Sequence, residues 1–431
     1  MKVFLDTIGC RLNQAEIEAM ANQLRQRGHE IVANAGQADL VVLNTCTVTS
    51  RAASDSRQKA LQAGRLAQGK VVLTGCWSTL EPDIAMGIPG VTQLVSNQEK
   101  NNLVDRLLGE QAVNPQALSR QPIPGARNRT RAFVKVQDGC DNRCTYCITA
   151  LARGKSISCS IQHVLEVVRA AMRGGAREVV LTGVHLGSWG HDLENTQVQL
   201  KDLLRAILDE TDIPRIRLSS VEPWDLDDSF FSLWQNPRLC RQLHLPLQSG
   251  SGSVLRRMRR KYTPQAYARL VANARAMIPD LALTTDLMCG FPGETEAEFN
   301  ESARFVDEMV FAGGHVFTYS PRPGTAAARM DGQVLPRVSK PRGAILRDRL
   351  HVSGTDFARK FIGRNLSVLW ESGGSTENGE WLLEGLSDNY LRIQAQSPSF
   401  RRNEVDLVAV ESFEDGALTG HIIPVQEKAG H

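Results

Sequence analysis

Three cysteines in the run Asp138-Gly139-Cys140-Asp141-Asn142-Arg143-Cys144-Thr145-Tyr146-Cys147 restrict this chain more than any other feature. Thiolates spaced C-x-x-x-C-x-x-C can grip three corners of a cubane iron–sulfur cluster from one tight loop. A four-iron cluster ordinarily takes four thiolates, and the nearest further cysteine, Cys159, lies twelve residues on. One iron is therefore left open to a ligand that is not protein. The competing reading is zinc, which wants four closed ligands, usually as two C-x-x-C pairs. The loop does not supply them.

A chain of 431 residues exceeds one ordinary core and implies two or three domains. With 42% hydrophobic and 23% charged residues it reads as soluble and globular. Asp6 interrupts the short apolar run at the start, so no signal peptide is evident. No stretch approaches the roughly 18 apolar residues of a spanning helix, which argues against a membrane location. Nine cysteines, an odd number, then point to reduced thiols and metal ligation rather than disulfides, and to the cytoplasm.

Residues 1–110 alternate strand and helix. Lys2–Asp6, Leu40–Asn44 and Val71–Thr74 are apolar runs of the kind that build an open parallel sheet, with a helix expected over Glu16–Arg27. A cysteine follows each run: Cys10, Cys46 and Cys76. Open parallel sheets place their sites beyond the carboxyl ends of the strands. The three thiols should converge there as a second three-thiolate set, although a buried structural cysteine is the usual reading of any one alone.

Residues 111–131, with Pro115, Pro122, Pro124 and Gly125, read as a linker. Over 132–361, strand-like runs at Phe133–Val136, Val179–Thr182, Ile216–Ser219, Leu243–Leu245, Leu283–Met288 and His315–Thr318 alternate with helical patterns. Six such units make an incomplete (β/α)6 barrel, whose site lies at the carboxyl ends of its strands. The cysteine loop begins there. Over 362–425, Asn365–Glu371, Trp381–Leu386, Leu391–Ala395 and Val405–Phe413 read as strands of a small antiparallel barrel.

Charge is unevenly spread. From Arg364 onward five basic and eleven acidic residues give −6, against +3 for the whole chain, so residues 1–363 carry +9. No acid lies between Glu110 and Asp138, where Arg120, Arg127, Arg129, Arg131 and Lys135 fall. Arg256-Arg257-Met258-Arg259-Arg260-Lys261 places five cations in six residues. Such runs are usually solvated faces; two of them beside a cofactor domain make a polyanionic substrate plausible.

Taken with the cysteine loop, several motifs carry a resemblance along nearly the whole chain. They are Gly9-Cys10-Arg11-Leu12-Asn13-Gln14-Ala15-Glu16, Asn44-Thr45-Cys46-Thr47-Val48, Thr74-Gly75-Cys76, His244-Leu245-Pro246-Leu247-Gln248-Ser249-Gly250, Gly290-Phe291-Pro292-Gly293-Glu294-Thr295 and Tyr319-Ser320-Pro321-Arg322-Pro323-Gly324-Thr325. The chain resembles the radical S-adenosylmethionine (SAM) methylthiotransferases, which join an N-terminal three-cysteine domain, a radical SAM barrel and a C-terminal TRAM domain. The resemblance implies two 4Fe-4S clusters. Cys140, Cys144 and Cys147 would hold the cluster that cleaves SAM to a 5′-deoxyadenosyl radical. Cys10, Cys46 and Cys76 would hold an auxiliary cluster carrying the sulfur to be inserted, which a second SAM methylates. No side chain is assigned as catalytic, because the cofactors carry the chemistry. Tyr146 is placed to pack on the adenine of SAM, Gly183 to let SAM approach backbone, and Ser220 and Glu222 to contact its ribose or amino group; Tyr146 could equally be a packing aromatic, and Glu222 a helix cap.

The segment Arg11-Leu12-Asn13-Gln14 is similar to the branch that modifies threonylcarbamoyladenosine at anticodon-loop position 37 of tRNA. The other branches act on isopentenyladenosine in tRNA or on a ribosomal-protein aspartate, and a noncatalytic RNA-binding iron–sulfur protein is the alternative of another class. Arg11 and Arg153 are the candidate cations for the threonylcarbamoyl carboxylate. Arg392, Arg401 and Arg402, beside Phe400, form the candidate RNA patch of the acidic C-terminal segment. An electron donor and a sulfur source are implied partners, unidentified. Two departures stand out. Ile148-Thr149-Ala150-Leu151 replaces the usual Pro-Tyr pair before Ala152-Arg153-Gly154, and Cys159 is read as an extra thiol rather than a ligand. Cys240 and Cys289 read as core thiols, and His185, His244 and His315 lack a ligand-spaced partner.

Overall fold

The computed structural model describes residues 1–110, 119–124, 130–193 and 197–424. Pro115, Gly125, Arg127 and Arg129 of the expected linker lie outside them. The chain packs as two compact units, Met1–Ile213 with Ser320–Met330, and Pro214–Tyr319 with Asp331–His431. Among the described residues, no helix is long and apolar enough to cross a membrane.

In the first unit, β1 (Lys2–Thr7), β2 (Glu30–Val32), β3 (Leu40–Thr45), β4 (Lys70–Gly75) and β5 (Val91–Val95) form a parallel sheet in the order β2-β1-β3-β4-β5. β3 is buried at every position, as a strand covered on both faces must be. Ile17, Met20 and Leu24 of the Arg11–Gln26 helix pack with Val3, Leu5 and Val42. Ala60 and Ala63 of the Ser50–Leu66 helix pack with Val41, Leu43 and Trp77 on the other face. β2 and β5 are additions to the expected strands; one is three residues long and the other mixes Thr92 and Gln93 into its run, so neither shows a clear apolar pattern.

The same unit holds the start of the central domain. β6 (Ala132–Lys135) leads into β7 (Gln137–Asp138), which pairs antiparallel with β8 (Ile157–Ser158) and so closes the base of the cysteine loop. β6 runs parallel with β9 (Glu178–Thr182), Ala132 opposite Val179 and Lys135 opposite Thr182.

In the second unit, β10 (Arg215–Leu218) precedes β11 (Gln242–His244), β12 (Ala282–Cys289) and β13 (Gly313–Thr318), the last three forming a parallel sheet. Parallel bridges Ile216–Leu239 and Ser220–His244 join the β10 segment to the β11 segment. All six expected barrel strands therefore form. The 24-residue helix Pro336–Arg359 was not anticipated; Pro341, Gly343 and Gly354 inside it weaken the helical pattern.

β14 (Asn365–Ser375), β15 (Trp381–Ser387), β16 (Arg392–Ser397), β17 (Val405–Glu414) and β18 (Ala417–Ile422) close into a barrel in the order β14-β15-β16-β18-β17. β18 is a fifth strand beyond the four expected. Its core gathers Val368, Trp370, Leu383, Ile393, Val408 and Leu418, and Trp370 Nε1 donates to Asp406 at 2.7 Å.

The barrel is joined to the remainder of its unit by arginines. Arg217 of β10 is fully buried and donates to the carbonyls of Asp388 (3.0 Å) and Ser387 (3.1 Å). Its guanidinium lies 5.0 Å from the centroid of the Tyr390 ring. Arg241 spans Asp388 (2.6 Å) and Asp280 (3.0 Å). Charged donors on buried carbonyls contribute about 1.5–3 kcal/mol each. Arg217→Met keeps the aliphatic stem but strips both carbonyls of their donor. Scanning calorimetry should show the transition that contains the C-terminal barrel destabilised by about 3 kcal/mol; an unshifted transition would mean that water replaces the guanidinium there.

Candidate metal and cofactor centre

β1, β3 and β4 are neighbours and parallel, so their carboxyl ends share one sheet edge. Cys10 caps the start of the Arg11–Gln26 helix after β1, Cys46 follows β3 directly, and Cys76 opens the short Cys76–Leu80 helix after β4. Gly9 has φ +106°, and a Cβ there would stand 2.5 Å from both Cβ and Sγ of Cys46. Only glycine lets the first loop lie against the second thiol. Asn13 stitches the same loops: its Nδ2 donates to Ile8 O (2.8 Å) and Thr45 O (3.1 Å), and its Oδ1 lies 3.6 Å from Cys10 Sγ. Asn97 Nδ2 donates to Cys76 Sγ at 3.5 Å and to Ala152 O at 2.8 Å.

The three thiols act on one another. Cys46 is pushed up to about 11, chiefly by burial; the nearby Cys10 and Cys76 add to the rise, and the Val48 amide and Arg153 oppose it. Cys10 is solvent-exposed yet walled by protein as in a cleft, and that desolvation raises its thiol while Arg153 pulls it down. Iron is the natural counter-charge, since ligation requires the thiolate.

The second set lies on the loop between β7 and β8. Cys140 N donates to Gly154 O at 3.0 Å and Cys147 N to Cys144 O at 3.1 Å. The amides of Asn142 and Thr149 donate to Sγ of Cys140 and Cys147, each at 3.4 Å. Amide donors of this kind stabilise thiolate sulfur and tune a cluster's potential. A single zinc ion would need thiolates roughly 4 Å apart, and among the described residues no three His, Cys, Asp or Glu groups are gathered to hold one metal ion. The donor chemistry of both sets, three thiols apiece with N–H donors on their sulfurs, is that of an iron–sulfur cluster.

Between the two sets runs a buried ion network. Glu16, with a side chain 3% exposed, meets Lys100 (2.8 Å), Arg153 (2.8 Å) and Lys135 (3.3 Å). Asp138, two residues before Cys140, meets Arg153 (2.8 Å) and Lys135 (2.6 Å). Asn44 donates to Glu16 at 2.9 Å and accepts from Lys100 at 3.1 Å. Burial alone would raise the Glu16 carboxyl, but Lys100, Arg153 and Lys135 together hold it well below the usual carboxylate range. Three cations against two carboxylates leave one positive charge. Arg153 directs it at the thiols, since Cys76 and Cys10 both favour its charged form. That excess suits a site that binds anionic thiolates.

Comparison with known proteins agrees with this geometry. Residues 134–306 match the radical SAM superfamily and residues 2–96 the family described as uncharacterized protein family UPF0004. The threonylcarbamoyladenosine tRNA methylthiotransferase MtaB of Thermotoga maritima is 37% identical, over 97% of this chain and 96% of its own. The chain belongs to the radical SAM methylthiotransferases. The Bacillus subtilis protein of the same name is 34% identical over 91% of this chain and 89% of its own. A tRNA-2-methylthio-N(6)-dimethylallyladenosine synthase of Erythrobacter litoralis is also 34% identical, over 87% of each. Among solved structures, the radical SAM methyltransferase TsrM of Kitasatospora setae superposes with TM-score 0.58 at 16% identity, over 76% of this chain and 75% of that one. At that identity the likeness is one of fold.

Not every methylthiotransferase residue named from the sequence sits as expected. Arg153 is no open cation for a substrate carboxylate: its side chain is 2% exposed and committed to Glu16, Asp138 and Asn13. Gly183 does admit a close approach, but by Gln137, whose Oε1 would stand 2.8 Å from an added Cβ. That oxygen accepts from Val184 N and His185 N, both at 2.9 Å, while Gln137 Nε2 donates to Gly139 O (2.8 Å) and Ser156 Oγ (2.9 Å). Gln137 thereby ties the cysteine loop to the end of β9. Glu222 is ion-paired with Arg260 and caps no helix by its side chain. Arg401 is held by Asp406 (2.7 Å) and Glu404 (2.7 Å), and Arg402 Nε by Glu371 O (3.3 Å), which leaves Arg392 as the exposed cation of that patch.

Arg11 and Tyr146 are half-buried, and Ser220 is half-buried at the end of β10. Cys159 lines a cavity of about 510 Å³ together with Glu16, Lys100, Lys135 and His163. Cys240 and Cys289 are buried core thiols. His244 meets Asp286 at 3.3 Å and Thr284 Oγ1 at 3.0 Å.

Asn97, Lys100 and Gln137 are the residues that the sequence reading missed, because a lone polar residue carries no spacing to mark it. Glu16→Gln should expose the importance of the network. Removing one partner from a buried ion pair costs about 3–5 kcal/mol. Thermal unfolding of the purified chain should register that loss; an unchanged midpoint would mean that Asp138 alone balances the cations.

Proposed function

We propose that this methylthiotransferase adds a methylthio group to carbon 2 of N(6)-threonylcarbamoyladenosine at position 37 of tRNA. The observation that carries the reading is full-length similarity to the Thermotoga maritima MtaB protein, 37% identical over 97% of the chain. It is supported by the convergence of three thiols at the ends of β1, β3 and β4, away from the Cys140–Cys147 loop in sequence. Cys10, Cys46 and Cys76 would hold one 4Fe-4S cluster, and Cys140, Cys144 and Cys147 the other. When bound, the second of these supplies the electron that cleaves SAM, and the first supplies the sulfur that becomes the methylthio group.

The chain's own residues bind, orient and balance charge. Three thiolates per cluster would leave one iron open to SAM or to sulfur. Asn97 and the amides of Asn142 and Thr149 steady the thiolates through N–H donors. Arg153, locked between Glu16 and Asp138, adds a fixed positive charge beside Cys10 and Cys76. Fixed charge of this kind needs no reorganisation during turnover. Tyr146, on the same loop as the three thiolates, would pack on SAM. Arg11, next to Cys10, is the candidate cation for the threonylcarbamoyl carboxylate.

Changing Cys10, Cys46 and Cys76 together to Ala should spare SAM cleavage to 5′-deoxyadenosine and abolish methylthiolation, read by chromatography and nucleoside mass spectrometry. Product formed by that variant would overturn the assignment of sulfur delivery to these thiols. For the substrate, tRNA from a deletion strain should keep threonylcarbamoyladenosine and lose its methylthio derivative. Loss of the methylthio group from isopentenyladenosine, or from a ribosomal protein, would move the chain to another branch. Arg11→Gln should lower turnover of the modified tRNA at least tenfold, the scale of a lost charge-assisted contact at about 1.5–3 kcal/mol.

A further inference from the structure

The five cations of Arg256–Lys261 divide into two groups. Arg257 and Arg260 are spent internally: Arg257 makes two bonds to Glu298, each 2.8 Å, and Arg260 pairs with Glu222 and donates to Pro246 O at 3.3 Å. Arg256, Arg259 and Lys261 are exposed, and among the described residues none of the three has an ion-pair partner.

Arg259 has φ +56°, the left-handed region, where it ends the Gly252–Arg257 helix with its amide on Arg256 O (3.0 Å) and the Arg260 amide on Leu255 O (2.9 Å). Glycine is the residue that closes such a turn without strain. A cation kept in a strained backbone position points to a use for its side chain.

Beside these cations stands Trp224, four residues beyond Ser220 at the carboxyl end of β10. Trp77, Trp189 and Trp370 are fully buried core residues, whereas Trp224 is only half-buried. The Tyr262 ring stacks on it with centroids 5.8 Å apart and planes 30° apart, and Arg260 and Lys261 lie 4.8 and 5.4 Å from its centroid. Tyr262 is itself anchored, its hydroxyl 2.6 Å from Leu247 O. The indole is thus an anchored aromatic group with cations close over its ring, just beyond the carboxyl end of β10.

We infer that Trp224, with Arg256, Arg259 and Lys261, forms the docking surface for the anticodon loop, Trp224 stacking an unpaired base while the cations bind flanking phosphates. The inference rests on the proposed tRNA substrate. It also answers the charge problem of the C-terminal barrel, where acids and internal pairing leave little positive surface. Single-stranded RNA is read in this manner: aromatic faces stack bases and arginine or lysine neutralises the backbone.

The test is the affinity of the full chain for a synthetic anticodon stem-loop bearing threonylcarbamoyladenosine, by fluorescence anisotropy over a range of salt. Trp224→Leu should weaken binding roughly tenfold at every salt concentration, as loss of one base stack does. Arg256→Gln with Arg259→Gly should weaken it and flatten the plot of log affinity against log salt by roughly 1.4, about 0.7 per lost phosphate contact. Arg259→Gly alone should raise thermal stability while lowering RNA affinity, a combination that a purely structural arginine would not give. Wild-type binding with unchanged affinity and salt slope in these variants would overturn the docking surface alone. A wild-type chain that binds no tRNA stem-loop would overturn the tRNA reading and this surface with it.

Discussion

The buried carboxylate of Glu16 is the contact on which the catalytic half of the molecule depends. It draws Lys100 from the N-terminal domain and Lys135 and Arg153 from the start of the central domain to one point. A lone buried carboxylate would be prohibitively desolvated; three cations and Asn44 make it tolerable, and in return fix separate stretches of chain. Arg153 follows the Cys140–Cys147 loop and bonds Asn13, which itself holds the loops of Cys10 and Cys46. One guanidinium therefore couples the positions of the two cysteine sets. Its charge is surplus to the network and complements the thiolates around it.

Much of this was legible in the sequence, for identifiable reasons. The three N-terminal cysteines follow strands with apolar centres, so their shared sheet edge could be inferred from β1, β3 and β4 alone. The barrel strands were visible by the same alternation of apolar runs with amphipathic helices. Glu16 was not legible as a buried residue, because Ile17, Met20 and Leu24 mark one apolar face of its helix and an acid outside that face reads as solvated. Its burial arises from β6, distant in sequence, and no local pattern encodes it. Arg153 misled for the same reason: an arginine beside a cofactor loop looks like a substrate contact until its acidic partners are seen. The strand β18 was lost to Gly420 and His421 breaking its apolar pattern, and the Pro336–Arg359 helix to internal proline and glycine.

The C-terminal barrel shows how internal pairing reshapes a charge argument. Counting arginines suggested a local RNA patch, yet Arg401 and Arg402 serve the barrel's own turn and Arg217 and Arg241 serve its attachment. What matters for a polyanion is cation density left over after folding. By that measure the rim formed by Arg256, Arg259 and Lys261 is richer than the barrel.

The claim that everything else rests on is that the chain carries two independent clusters, each held by three cysteines. Iron content after anaerobic reconstitution tests it most directly. The wild-type chain should hold about eight irons, two four-iron clusters, and replacement of either cysteine trio by alanine should leave about four. Retention of about eight irons by either variant would contradict the account.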